Sequence, residues 1–202
     1  MLFRRALLAG GLVSGAAFVL PVDLRAQPAG NTQKLVAAAR RQIGVTLTYD
    51  PAYSRLDYPG GDVPRERGVC TDVIVRAYRD GLDIDLQVLV HEDMHKAFSA
   101  YPPLWGLKRA DRNIDHRRVP NLQTFFTRAG AALSIDRDGA DYRAGDIVSQ
   151  MLPGNLPHIG IVADARSADG ARPLLVHNIG AGARLEDLLF AYPLTGHYRY
   201  RV

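Results

Sequence analysis

The spacing of apolar residues changes along the chain, and this change limits the fold more than any other feature of the sequence. In the first 128 residues, apolar side chains recur at helical spacing, as Val69, Val73 and Ala77 do. Beyond them, short apolar or alternating segments are separated by glycine-containing turns; these segments are 146–151, 158–162, 174–179 and 197–202. Helices followed by strands predict an α+β fold, with N-terminal helices packed on a C-terminal antiparallel sheet.

Residues that begin or end helices limit the expected helical segments. These are 35–43, stopped by Gly44; 69–78, stopped by Gly81; 85–98; and 121–128, capped by Asn121. In the strand 174–179, the residues on both faces are partly apolar. The sheet is therefore expected to be covered on both sides.

The N-terminal segment has the layout of a secretory signal. Arg4 and Arg5 precede an apolar run over 6–22 and a possible cleavage site at Leu24-Arg25-Ala26. A retained membrane anchor is the alternative, but glycines and a proline interrupt the run, and a spanning helix needs about 20 solidly apolar residues. We expect 1–26 to be removed on export by the general secretory or the twin-arginine route. The mature chain should then begin near Gln27, which mass spectrometry can check. We expect 27–202 to form a single periplasmic or otherwise exported domain, without stable membrane insertion.

The charge of the chain gives no indication of a nucleic-acid partner. The formal net charge is +4, and it falls to +2 without 1–26, because that segment holds three arginines and one aspartate. No run of basic residues follows. We expect a monomer that needs no cofactor and binds no nucleic acid.

A single cysteine, Cys70, excludes an internal disulfide. Taken alone, it is as consistent with a buried structural residue as with a functional thiol. In Gly68-Val69-Cys70 it begins a helix, where free backbone N–H groups and the helix dipole lower the pKa of a thiol and can donate to an oxyanion. Asp72 would oppose this effect if its carboxylate pointed toward Cys70, and is otherwise an ordinary acid at a helix start.

A cysteine nucleophile needs an imidazole base and a group that orients the imidazole. His158 begins a strand directly after Pro157, and His177 lies in the middle of the next strand. Either one, taken singly, is also consistent with a core histidine. Together they are candidates for the general base (His158) and the orienting residue (His177), with Asn178 as the alternative for the second role.

Four motifs occur in the order of one known architecture, and the resemblance covers about 58–179. The NlpC-type cell-wall peptidases, a papain-like superfamily, have a cysteine that opens a helix, a Gly-Asp pair before a strand, a base histidine in an HxG strand and a third polar residue on the next strand. The sequence resembles them in Gly68-Val69-Cys70-Thr71-Asp72-Val73, Gly145-Asp146-Ile147-Val148, Pro157-His158-Ile159-Gly160-Ile161-Val162 and Val176-His177. More closely, Asp62-Val63-Pro64, 68–78, 113–121 and His177-Asn178-Ile179-Gly180 resemble the YijF-like branch of exported bacterial proteins, whose biochemical role is unassigned.

This resemblance implies a papain-like fold and a hydrolase that cleaves an amide bond in peptidoglycan stem peptides, or another peptide substrate, through a thioester on Cys70. It also implies that Tyr58 lies over the active site; an aromatic residue of a turn is the alternative interpretation. The sequence departs from the family where Val-Cys-Thr-Asp replaces Asp-Cys-Ser-Gly. The larger Asp72 beside the nucleophile is expected to alter substrate access.

The segment 113–121 has no counterpart in the general family pattern. Its charged residues, together with Arg112, could bind a substrate carboxylate or form a surface ion-pair turn; they are Asp115, His116, Arg117 and Arg118. We expect substrate binding, because loops commonly carry binding residues. Asn178 joins them as a candidate substrate ligand.

Two other function classes are consistent with the sequence. His91-Glu92-Asp93-Met94-His95 spells H-E-x-x-H on an expected helix, the pattern of a zinc hydrolase. Its charged neighbours and the lack of a following glutamate before Glu186 weaken that interpretation. The third class is a non-catalytic cell-wall binding module that keeps the groove without using the thiol.

Overall fold

A computed structural model describes residues 30–202, and the expected α+β arrangement is confirmed. The expectations for 1–26 lie outside the described residues. The four α-helices are α1 (Asn31–Arg40), α2 (Cys70–Leu82), α3 (Leu86–Lys96) and α4 (Val119–Arg128). The strands are β1 (Thr48–Tyr49), β2 (Arg67–Gly68), β3 (Ile147–Leu152), β4 (Leu156–Arg166), β5 (Pro173–Asn178), β6 (Ala183–Glu186) and β7 (Leu194–Tyr198).

The last five strands form one antiparallel sheet in the order β6-β5-β4-β3-β7. Strands β1 and β2 form a separate parallel pair of two residues each. None of the helices within 30–202 is long and apolar enough to cross a membrane.

Several element ends differ from the sequence-based expectation. Gly81 lies inside α2, which ends instead at Asp83 in the left-handed conformation. Asn121 lies within α4, because the helix already begins at Val119 with Pro120 in its first turn. Strand β6 was not expected: it reads Ala-Arg-Leu-Glu, and two charges in four residues hide its alternation.

The sheet buries both of its faces, as expected. On the face toward the helices, Ile147, Ile161 and Val176 join the main core with α1, α2 and α4. On the other face, a second cluster contains Val148, Val162, Leu175, Tyr142 and Leu189. Helix α2 packs between α1 and strands β4 and β5, so the sheet fixes the helix that carries Cys70.

The Gly145-Asp146 pair has a structural role in front of β3. The buried carboxylate of Asp146 accepts hydrogen bonds from His197 Nε2 at 2.9 Å, Arg199 Nε at 2.7 Å and the Arg143 backbone N–H at 2.8 Å. Burial raises the pKa of Asp146, but the bonds from His197 and Arg199 outweigh it and hold the pKa below its usual range. These contacts fasten the last strand, β7, to the start of β3.

We expect Asp146→Ala to lower the free energy of unfolding by about 3 kcal/mol at pH 7, because it leaves buried donors without their carboxylate. The matched control, Asp164→Ala, removes a surface pair with Arg40 and should cost less than about 0.5 kcal/mol. The pKa of Asp146 is lower when folded than unfolded, so its stabilisation is complete above about pH 4 and is lost as the pH falls through the folded pKa. Urea unfolding at pH 7 and pH 3 tests both points; equal losses for the two variants would contradict the assignment.

Candidate active site

Cys70 is the first residue of α2, and the segment before it is held by close backbone approach. The parallel pairing of β1 with β2 sets Tyr49 opposite Gly68. A Cβ atom on Gly68 would lie 2.9 Å from Asp72 Oδ2 and 3.2 Å from Arg76 Nη1. Glycine is therefore required at the start of the Gly-Val-Cys motif, because any side chain would push away the two groups that anchor the helix.

A buried arginine, Arg76, organises the loop that leads to the cysteine. Its side chain is completely buried and binds both carboxylate oxygens of Asp62, at 2.9 to 3.1 Å. It also donates to Thr46 Oγ1 and to the Arg67 carbonyl, both at 3.0 Å. A guanidinium in the interior needs an acceptor for each of its N–H groups. Because Asp62 and the Arg67 carbonyl both bind Arg76, the Asp62-Val63-Pro64 motif helps to position the segment that leads to Cys70.

Asp72 is an anchor of the helix start. Its Oδ2 atom accepts a hydrogen bond from the Val69 backbone N–H at 2.7 Å. Both of its oxygens bind Arg117, with Nε and Nη2 at 2.9 Å each. The carboxylate is therefore neutralised by a buried arginine, which explains how an acid is tolerated two residues after the candidate nucleophile.

Cys70 and His158 line one cavity of about 640 Å³. Tyr49 also lines it, and its hydroxyl lies close enough to the thiol to affect the pKa of both groups. The remaining lining residues are Pro51, Tyr53, Val69, Trp105, Ile114, Arg117, Arg118, Val119, Pro120, Leu152, Leu156, Pro157 and Ile179. A cavity of this size, mostly apolar with few polar groups, is typical of a small-molecule or peptide site.

Behind His158 lies a chain of polar side chains. His158 Nε2 is 3.1 Å from His177 Nδ1, and His177 Nε2 is 3.1 Å from Glu186 Oε2, although this second contact is poorly aligned for a hydrogen bond. With the ionised Glu186 carboxylate taken as the group that faces His177 Nε2, the His177 proton is assigned to Nε2, and His177 Nδ1 then accepts the Nε2 proton of His158. His158 Nδ1 is then the basic nitrogen, free to take a proton.

The glycine of the HxG motif, Gly160, leaves room for the contact between His158 and His177. His158 and Gly160 lie on the same face of β4, and a Cβ atom on Gly160 would be 3.2 Å from His177 Cβ. Without a side chain at Gly160, the His177 imidazole can lean along the sheet toward His158. The sequence motif is therefore a packing requirement of the histidine pair.

The protonation state of the site differs from the expectation. Burial and the nearby Asp72 carboxylate raise the pKa of Cys70 to about 11, despite hydrogen bonds to the sulfur from the Ile159 and Thr71 backbone. Burial and the neighbouring His177 lower the pKa of His158 to about 3. Burial thus opposes the lowering of the thiol pKa that the helix start was expected to give. At neutral pH these pKa values leave a protonated thiol and a neutral imidazole in the same cavity.

Tyr58 does not lie over this cavity. It packs edge-on against His91 with ring centroids 5.4 Å apart, and the guanidinium of Arg112 lies 5.7 Å from its ring. The loop docks on the start of α3, where the Gly60 N–H donates to Asp85 Oδ2. Two other tyrosines, Tyr49 and Tyr53, line the cavity. The parallel pairing of β1 and β2 brings Tyr49 close to Cys70, and two-residue strands leave no pattern in the sequence.

The charged segment after Asn113 folds mostly into the interior. Asp115 accepts from the Asp111 N–H and His91 Nδ1, and burial raises the pKa of its carboxyl. His116 is buried, and its burial lowers the imidazole pKa to about 3. Neither residue lines the cavity, so the substrate-binding role expected for them is not supported.

Two arginines of this segment line the cavity, but with different partners. Arg117 is occupied by Asp72 and by the carbonyls of Asp50 and Ala52. Arg118 packs its guanidinium over Trp105, 4.0 Å from the ring centroid. Of the four residues expected to bind substrate here, only Arg118 remains available.

Asn178 supports the backbone instead of facing the histidines. Its Nδ2 donates to the Gly68 carbonyl at 3.0 Å, and its Oδ1 accepts from the Gly180 N–H at 3.1 Å. It is completely buried and does not line the cavity. Asn178 therefore ties the end of β5 to the segment before Cys70. Of the two candidates for the residue that orients His158, His177 is the one that contacts it.

The H-E-x-x-H segment lies on α3, as expected, but does not form a ligand set. His91 contacts Asp115 at 3.3 Å, whereas Glu92 and His95 are exposed. Within residues 30–202, no group of three histidine, cysteine, aspartate or glutamate side chains is placed to hold a metal ion. The third zinc ligand that this interpretation needs is therefore absent from the described part of the chain.

The fold and the site together define an α+β protein with a cavity that combines a helix-start cysteine and a supported histidine. A family model described as "Domain of unknown function (DUF1287)" matches residues 36–200, and the chain belongs to this family. The chain is 58% identical over 173 residues to the "Uncharacterized protein YijF" of Escherichia coli (strain K12), a match that covers 85% of this chain and 83% of that protein. The expected similarity to the YijF-like branch is thus confirmed.

Iodoacetamide should modify Cys70 in the folded protein at pH 7 at least about tenfold more slowly than in urea, because the raised pKa leaves little thiolate. The rate in the folded protein should continue to rise up to pH 10, the highest pH of the experiment, because the pKa of the thiol lies above it. Mass spectrometry of the single thiol follows the reaction. A rate at pH 6 that exceeds that of the unfolded thiol would contradict the neutral resting pair.

Proposed function

We propose that the protein is an exported cysteine hydrolase of the papain-like, NlpC-type superfamily, which cleaves an amide bond through a thioester on Cys70. One observation carries the proposal: Cys70 and His158 line the same cavity, while His177 and Glu186 support His158 from behind. The order of the parts agrees, with the cysteine at a helix start and the histidines on successive strands.

The neutral pair sets the order of proton transfers. Cys70 Sγ attacks the substrate carbonyl as the thiol proton passes to His158 Nδ1, so the charges form only when substrate is bound. Backbone N–H groups in the first turn of α2 donate to the oxyanion. The imidazolium returns its proton to the departing amine, and an acyl thioester remains on Cys70.

Water completes the reaction by attacking the thioester. His158 takes a proton from this water, the carbon–sulfur bond breaks, and the same proton restores the thiol as the acid is released. His177 and the carboxylate of Glu186 keep His158 in one orientation and stabilise the imidazolium in both steps. If an amine replaces water, the same thioester gives acyl transfer.

The proposed substrate is an amide bond in the peptide stems of peptidoglycan. A protein exported by the signal expected in 1–26 meets this polymer, and its stems carry free carboxylates. Arg118 is the guanidinium at the cavity that is available for such a carboxylate within the described residues. The proposal thus depends on export and on Arg118, and no longer on Arg112 or Arg117.

One observation favours a second candidate, a non-catalytic cell-wall binding module. The buried thiol with its raised pKa is a weak nucleophile at rest. A module of this kind would bind stem peptides in the same cavity and leave them uncleaved. Binding and product formation must therefore be measured separately.

We expect the wild-type protein to convert purified peptidoglycan fragments into shorter products, and Cys70→Ala to form none, because the thioester needs the sulfur. His158→Ala should lower turnover by about 100-fold or more, the usual contribution of a general base. Mass spectrometry of the fragments reads the products.

His95→Ala is the matched control, because His95 is exposed on α3, away from the cavity. It should leave the products unchanged, as should EDTA. Identical fragments from wild type and Cys70→Ala, over a panel that covers each stem bond, would reject the hydrolase. Activity lost with His95 or with EDTA would favour the zinc interpretation instead.

A further inference from the structure

Apolar side chains cover three sides of the cavity beside Cys70. They come from the segment 49–53, from Trp105 with 114–120, and from the β3–β4 hairpin with Ile179. Trp105 and Leu156 remain 49% and 60% exposed. Because a ligand that covers these walls removes apolar surface from water, the cavity favours an apolar group.

One cation at the cavity is left without a partner. Among the described residues Arg118 forms no ion pair, and its Nη1 atom is buried without a hydrogen-bond acceptor. Buried polar nitrogens are nearly always paired, and a water molecule or a bound acceptor would satisfy this one. The guanidinium lies over Trp105, with Cζ 4.0 Å from the ring centroid, and a guanidinium can bind a carboxylate through two parallel hydrogen bonds.

The size of the cavity limits the distance between the two sites. A sphere of the cavity's volume is about 11 Å across, the length of about three extended residues. A carboxylate on Arg118 and a carbonyl at Cys70 therefore belong to the same short stretch of a peptide.

We infer that the cavity recognises the end of a peptide, with the terminal carboxylate on Arg118 and an apolar terminal side chain against the walls. This inference rests on the proposed function, and it specifies that hydrolysis is of the carboxypeptidase type. The bond cleaved lies within about three residues of the free carboxylate. An amidated end or an acidic terminal residue is bound poorly.

Trp105 is the only tryptophan of the chain and stacks on Arg118, so its fluorescence reports occupancy. We expect Cys70→Ala protein, which binds without turnover, to bind N-acetyl-Ala-Ala-Leu at least about tenfold more tightly than its C-terminal amide, the usual gain from a hydrogen-bonded charge. The peptide that ends in aspartate should bind more weakly than the one that ends in leucine.

Arg118→Gln, made in the Cys70→Ala background, should abolish the difference between acid and amide. Arg112→Gln in the same background should keep it, because Arg112 packs on Tyr58 outside the cavity. Arg118→Lys retains the charge and should keep part of the preference, which guards against a misfolded glutamine variant. Equal affinities for acid and amide, or the same loss in Arg112→Gln, would overturn the inference.

The two proposals fail separately. If the acid binds as expected but no peptidoglycan fragment is cleaved, recognition of the peptide end stands and the hydrolase is rejected. If fragments are cleaved while acid and amide bind equally, the hydrolase stands and recognition of the end is rejected.

Discussion

The buried ion pair between Arg117 and Asp72 holds the candidate site together. Its side chains are 1% and 4% exposed, and Arg117 also donates to the carbonyls of Asp50 and Ala52. Three segments meet at this guanidinium: the first turn of α2 through Asp72, the residues 50–52 after β1, and the turn before α4 that carries Arg117 itself. Removing one partner of such a buried pair costs about 3–5 kcal/mol, because the other charge stays buried alone. The Arg117–Asp72 pair therefore fixes these walls of the cavity to the helix that carries Cys70.

This anchoring has a chemical consequence for the thiol. The carboxylate that fixes the helix start also raises the pKa of Cys70, adding to the effect of burial. His158 is held neutral by burial and by His177. A thiolate at rest is therefore disfavoured, and the proposed mechanism places the proton transfer after substrate has bound. Glu186, at the sheet edge, lies 3.1 Å from His177 and in the proposed mechanism stabilises the transient imidazolium.

The sequence predicted the fold class and the residues at the centre of the site, because both depend on local patterns. Helical spacing, strand alternation and the HxG motif identified α2, β4 and β5, with Cys70 and His158. It did not predict which charged residues face the interior. Asp115, His116, Arg117 and Arg118 are consecutive polar residues, and no pattern in the sequence separates the buried ones from Arg118. Tyr49 and Glu186 reach the site through a two-residue parallel pairing and a short charged strand, whose partners only the tertiary structure determines.

¹⁵N NMR of histidine-labelled protein tests most directly whether His158 and His177 are both neutral and share one orientation of their protons. The signals are assigned with His158→Gln and His177→Gln variants. At pH 6 we predict that both rings are neutral, with the proton on Nε2 and the lone pair on Nδ1, and that Glu186→Gln weakens this preference in His177. An imidazolium at His158 at pH 6, or a proton on its Nδ1 atom, would contradict the account.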